Sequence, residues 1–146
     1  MLTLFFSGTG NTEYIARAFS QKMQYHCLSI EDEADFPAEI AAADTLAICY
    51  PIYGSRVPLI MREFVARHMD IFRGKKLVIL VTQLIFSGDG ARVLCDIFPA
   101  GHVEVIYGRV EAQRLTISLW QVFGTAPSEP DGHLSMYPAL RLLLNR

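Results

Sequence analysis

The chain has 146 residues, 51% hydrophobic and 19% charged, with a net charge of −2. This balance suits one globular domain over residues 1–146 with a sizeable core, and it argues against a disordered or repetitive chain. The near-neutral charge gives no field that favours nucleic acid. Three widely spaced cysteines, Cys27, Cys49 and Cys95, without a C-x-x-C pair, argue against a disulfide framework, a zinc site and an iron–sulfur cluster.

Met1 leads directly into "LTLFF", without a basic n-region or a small-residue cleavage site, so no secretory signal is expected. The longest apolar run, Leu77 to Phe86, is too short for a membrane helix and carries Thr82 and Gln83. No membrane association and a cytoplasmic location are therefore expected.

In chain order, "LTLFF" reads as a short buried strand bounded by glycine. Asn11 to Gln24 has helical spacing, with Tyr14, Ile15, Ala18 and Phe19 on one face and Thr12 or Asn11 as its cap. Tyr25 to Ile30 reads as a second strand, followed by a short helix. A third strand ends near Tyr50, where Pro51 is expected to stop the pairing. Pro58 opens a helix to about Met69, with Ile60, Met61, Phe64 and Val65 on one face. "KKLVILVTQ" is the fourth strand, Gly88 to Phe98 a short helix, and His102 to Gly108 the fifth strand. Arg109 to Asp131 is ambiguous, and Leu134 to Leu144 reads as a closing helix.

Continuous apolar strands alternating with helices imply a parallel sheet covered on both faces, an α/β three-layer sandwich. Such sheets bind ligands beyond the carboxyl ends of their strands, where strand order reverses. Three loops meet there: Ser7–Thr12, Pro51–Pro58 and Thr82–Asp89. They are also the loops richest in Gly, Ser, Thr and aromatic residues.

The first loop lacks the third glycine of a dinucleotide fingerprint. Glu13 stands in its place and is expected to crowd helix–strand packing. It also lacks the lysine of a P-loop, so a triphosphate would go unbalanced. What remains is uncharged: hydroxyls on Ser7, Thr9 and Thr12, the Asn11 amide, and backbone N–H groups that Gly8 and Gly10 let converge on a helix N-terminus. That set suits one phosphate monoester, held by hydrogen bonds worth about 1.5–3 kcal/mol each.

"SGTGNT", Ser7 to Thr12, resembles the S-x-T-G-N-T phosphate loop of flavodoxins and follows the first strand, as it does there. "YPIYGSRVPLIMREF", "FSGDGA" and "FGTAPSEP" extend the resemblance to the flavodoxin half of bacterial ferredoxin–flavodoxin fusion proteins. The cysteine-rich ferredoxin part is not matched, so no intramolecular iron–sulfur donor is expected. The resemblance implies a flavodoxin-like fold, strand order 2-1-3-4-5, and FMN at the switch point.

It also implies the cofactor-binding residues. Ser7, Thr9, Gly10, Asn11 and Thr12 would hold the FMN phosphate. Pro51, Ile52, Tyr53 and Gly54, with Thr82, Gln83, Leu84, Phe86, Ser87 and Gly88, would surround the ring. Tyr53 and Phe86 are either ring contacts or core aromatics. In flavodoxins a second-loop glycine flips its peptide toward the reduced N5, and Gly54 corresponds to it. Asp89 is a helix cap or a charge near the flavin.

The expected function is electron transfer with a redox partner protein, ferredoxin-like or a reductase, by a monomer or weak dimer. An NAD(P)H-dependent FMN or quinone reductase is the enzymatic alternative, and a flavodoxin-like module that has lost FMN is the third. Six acids between Glu31 and Asp44 precede a basic stretch from Arg56 to Lys76. They are either two solvated faces or a polarised surface that orients the partner. His26, His68, His102 and His133 are scattered without a partner carboxylate and are expected at the surface or at helix ends.

Overall fold

The computed structural model describes residues 1–54, 56–83 and 90–112. The single domain expected over residues 1–146, the closing helix and most of the ambiguous segment after Arg109 extend outside these residues. Five parallel strands form one sheet: β1 (Leu2–Phe5), β2 (His26–Ser29), β3 (Thr45–Pro51), β4 (Lys76–Gln83) and β5 (Glu104–Ala112). Their order is β2-β1-β3-β4-β5, so the strand order reverses between β1 and β3. The helices are α1 (Asn11–Met23), α2 (Phe36–Ala42), α3 (Leu59–Arg67) and α4 (Gly90–Cys95), with a 3-10 turn at Met69–Phe72.

The central strands are apolar along their whole length because both faces are covered. All seven residues of β3 are buried, and in β4 Leu77 to Thr82 are buried. One core cluster joins Leu4, Ile48, Ile79 and Val81 of the sheet to Ile40 of α2 and to Met61, Phe64 and Val65 of α3. Phe36 of α2 meets Phe64 of α3 edge-on, with ring centroids 4.9 Å apart. Asp35 starts α2 by accepting a hydrogen bond from the Ala38 N–H at 3.1 Å, and Pro37 occupies the first turn.

Several expectations are corrected. Pro51 does not end β3. It pairs with Thr82, and the Ile52 N–H donates to the Thr82 carbonyl at 2.8 Å. Proline removes only its own N–H, and at the last position of a strand that donor is dispensable. Strand β5 runs past Gly108 to Ala112, in step with β4 up to Gln83, after a register shift at Leu77/Val78.

The buried face of α1 is Thr12, Ala16, Phe19 and Ser20, whereas Tyr14 is 48% exposed and Ala18 is exposed. Small residues let the helix lie close to the sheet. Ser20 satisfies its hydroxyl by donating to the Ala16 carbonyl at 2.7 Å. Ile60 also turns outward, leaving Met61, Phe64 and Val65 as the inner face of α3.

His102 is buried, not superficial. Its ring Nε2–H donates to the Met69 carbonyl at 2.7 Å and it stacks near Phe98. His26 does find a carboxylate, Glu39 at 3.3 Å, because β2 and α2 bring them together. His133 lies outside the described residues.

Candidate functional site

The loops after β1, β3 and β4 leave the same edge of the parallel sheet. Between β1 and β3 the chain departs in opposite directions, which opens a crevice there. Ser7–Gly10 forms one wall. Gly10 adopts φ 83°, a left-handed conformation open to glycine, and caps α1 with its backbone. The expected side-chain cap by Thr12 or Asn11 is absent, because these are the first two residues of the helix itself. Ser7 Oγ accepts from the Gly10 N–H at 3.1 Å, and the Asn11 amide donates to Thr9 Oγ1 at 3.2 Å. Gly8, Thr9 and Gly10 are exposed. The first amides of α1 have no partner within the helix and point out of its N-terminus.

Thr12 turns inward. Its hydroxyl lies 2.7 Å from the Thr82 hydroxyl at the end of β4, and both residues are about 1% exposed. This contact links the first loop to the third across 70 positions of sequence. Thr82, expected among the residues around the ring, has its hydroxyl turned to Thr12 at the start of α1 instead.

The second loop closes over the first. Tyr53 and Arg56 exchange backbone hydrogen bonds of 3.2 and 3.1 Å, a tight turn in which Gly54 takes φ 56°. Tyr53 is half exposed and reaches back across the crevice. A β-carbon at Gly8 would lie 2.5 Å from its hydroxyl, so a larger residue at position 8 would have to push the end of the Tyr53 side chain aside. Pro51 and Ile52 are buried, and Ile52 belongs to the core cluster. The Gln83 side-chain oxygen is buried without a hydrogen-bond partner among the described residues. Leu84, Phe86, Ser87, Gly88 and Asp89 lie outside the described residues.

Charge near the first loop is already balanced. Arg17 holds Glu13 at 2.8 Å and lies over the Phe5 ring, 5.5 Å from its centroid. The hydrogen bond to Glu13 raises the pKa of the guanidinium further. Glu13 therefore does not crowd the sheet as expected; Thr12 and Ala16 occupy that interface. Deeper in the sheet, burial pushes the Cys49 thiol and the Tyr50 phenol well above their ordinary values, so both stay neutral. Among the described residues no group of three His, Cys, Asp or Glu gathers as a metal site. No described helix is long and apolar enough to cross a membrane.

These features fit a flavin monophosphate. The uncharged donors suit one phosphate, half-exposed Tyr53 offers an aromatic ring beside the first loop, and the Gln83 oxygen, without a partner among the described residues, offers an acceptor to a polar ring edge.

The fold is shared with solved structures, flavodoxins among them. Megasphaera elsdenii flavodoxin in its two-electron reduced form superposes with a TM-score of 0.65 at 20% identity, over 75% of this chain and 85% of that one. Streptococcus pneumoniae flavodoxin gives 0.59 at 22% identity, over 76% and 82%. The Trp repressor binding protein of Bacillus subtilis gives 0.62 at 14% identity, over 77% and 84%. No curated protein matches the sequence significantly. The profile of the flavodoxin domain matches residues 2–122, and the chain belongs to that family.

Proposed function

We propose that this flavodoxin domain binds FMN and carries electrons between redox proteins. The observation that supports this most is the first loop: uncharged donors surround a helix N-terminus whose nearest cation is held by Glu13. A loop of that kind suits a phosphate monoester and disfavours a triphosphate.

Ser7, Thr9, Asn11 and Thr12 hold the phosphate together with the first amides of α1. Tyr53 and Gly54 flank the ring from the second loop, and Gln83 meets its polar edge. Leu84, Phe86, Ser87 and Gly88 complete the set in the third loop. Bound FMN supplies a ring that accepts and releases electrons singly or in pairs. The residues of these loops bind, orient and tune that ring.

Half-exposed Tyr53 and exposed Arg56 stand where a partner would approach. The partner is a ferredoxin-like protein or a reductase. Anaerobic reduction of the FMN-loaded protein tests this reading. Stepwise one-electron reduction by a ferredoxin-type donor, with no direct reaction with NADPH, is the expected outcome. Rapid two-electron reduction by NADPH identifies a reductase instead. A protein that takes up no FMN contradicts both.

A further inference from the structure

The Thr12–Thr82 pair contains two hydroxyl protons and, among the described residues, forms one hydrogen bond. One proton is therefore left over in a setting where both side chains are almost wholly buried. Buried donors without acceptors are costly, so this proton needs a partner. The Thr82 carbonyl already accepts from the Ile52 N–H, which fixes the backbone at that point. Thr12 is the second residue of α1 and sits directly under the exposed loop Ser7–Gly10. Thr82 is the last residue but one of β4.

We infer that Thr82 is a positioning residue for phosphate binding, acting through Thr12. The Thr82 hydroxyl donates to Thr12 Oγ1, and the Thr12 proton is left for a phosphate oxygen above it. Thr82 itself does not touch the ligand. The two hydroxyls form a chain in which each bond polarises the next. The β-branched side chains have few rotamers, so the pair also fixes the direction of the Thr12 O–H before any ligand arrives.

This inference rests on the FMN reading above. Its test uses FMN and riboflavin, which differ only by the phosphate, titrated against wild type and the variants Thr82→Val, Thr82→Ser, Thr12→Val and the double variant Thr12→Val/Thr82→Val. Valine keeps the shape and removes the hydroxyl. Thr82→Val is expected to reduce the preference for FMN over riboflavin by about 3- to 10-fold while leaving riboflavin affinity unchanged. Thr82→Ser restores the preference to within about twofold, since it returns only the hydroxyl. Thr12→Val costs more, and the double variant costs no more than Thr12→Val alone, because Thr82 acts only through Thr12. The phosphorus NMR signal of bound FMN is expected to shift in Thr82→Val.

Three results overturn the inference while leaving the FMN reading intact. They are an unchanged preference in Thr82→Val, an equal loss for FMN and riboflavin, and losses that multiply in the double variant. A wild-type protein with no preference for FMN overturns the reading and the inference together.

Discussion

The Tyr53 hydroxyl rests against the α-carbon of Gly8, joining the second loop to the first across the crevice where strand order reverses. A β-carbon at position 8 would lie 2.5 Å from that oxygen but 3.8 Å from the ring carbon behind it. Gly8→Ala is therefore expected to push Tyr53 aside, at a cost of about 1–3 kcal/mol shared between stability and FMN affinity. Tyr53→Phe removes the oxygen and leaves ordinary contact. The double variant Gly8→Ala/Tyr53→Phe is expected to recover most of what Gly8→Ala loses, measured by flavin fluorescence quenching and urea unfolding. Additive losses would show that position 8 matters for some other reason.

Thr3 lies in the middle of the sheet, fully buried, and its hydroxyl has no hydrogen-bond partner among the described residues. An unpaired buried hydroxyl costs about 1–3 kcal/mol, and valine has the same shape without it. Thr3→Val is expected to be neutral or to stabilise by about 1 kcal/mol in urea unfolding. Destabilisation would mean that the hydroxyl has a partner.

His68 packs against Phe64 at 4.8 Å and Phe36 at 6.2 Å. Burial, with the Arg67 charge alongside, lowers its pKa below the ordinary imidazole value of 6.5. Well above pH 6.5 neither folded nor unfolded chain is protonated there, so His68 adds no pH dependence. As pH falls through that value the unfolded chain takes up the proton first, and stability drops until the lower folded pKa is passed. His68→Leu keeps the apolar packing and removes this slope. Between pH 7 and 5.5 wild type is expected to lose more stability than His68→Leu; equal losses would assign the pH dependence elsewhere.

Carboxylates around a negatively charged reduced ring would repel it, whereas a nearby cation would stabilise it. Here no carboxylate occurs from Thr45 to Arg62, and Arg56 is exposed beside Tyr53. The potential of the fully reduced couple is expected to be less negative than in acidic flavodoxins. Arg56→Glu should lower it by on the order of tens of millivolts. A redox titration in which the charge reversal leaves the potential unmoved would remove Arg56 from the account.

Much of this was legible in the chain itself. The apolar runs ending at Phe5, Tyr50 and Gln83 mark β1, β3 and β4, since strands buried on both faces are built mainly from apolar residues. The donor-rich loop after Phe5 marks the crevice. Other features depend on contacts between distant residues. Apolar spacing suggested Tyr14 and Ala18 beside Phe19 on the inner face of α1, but Thr12, Ala16 and Ser20 join Phe19 there, small residues that allow a close approach. Thr12 reads as a helix cap until Thr82, far along the chain, supplies its partner. His102 reads as a surface histidine until the Met69 carbonyl gives its ring a buried acceptor.

The central claim is that the Ser7–Thr12 loop holds the phosphate of FMN with uncharged donors. Calorimetric titration of the flavin-free protein with FMN and with riboflavin tests it most directly. The account predicts that FMN binds at least about 100-fold more tightly, the equivalent of two or more hydrogen bonds to the phosphate. Equal affinities for the two flavins, or no binding of FMN, would contradict it.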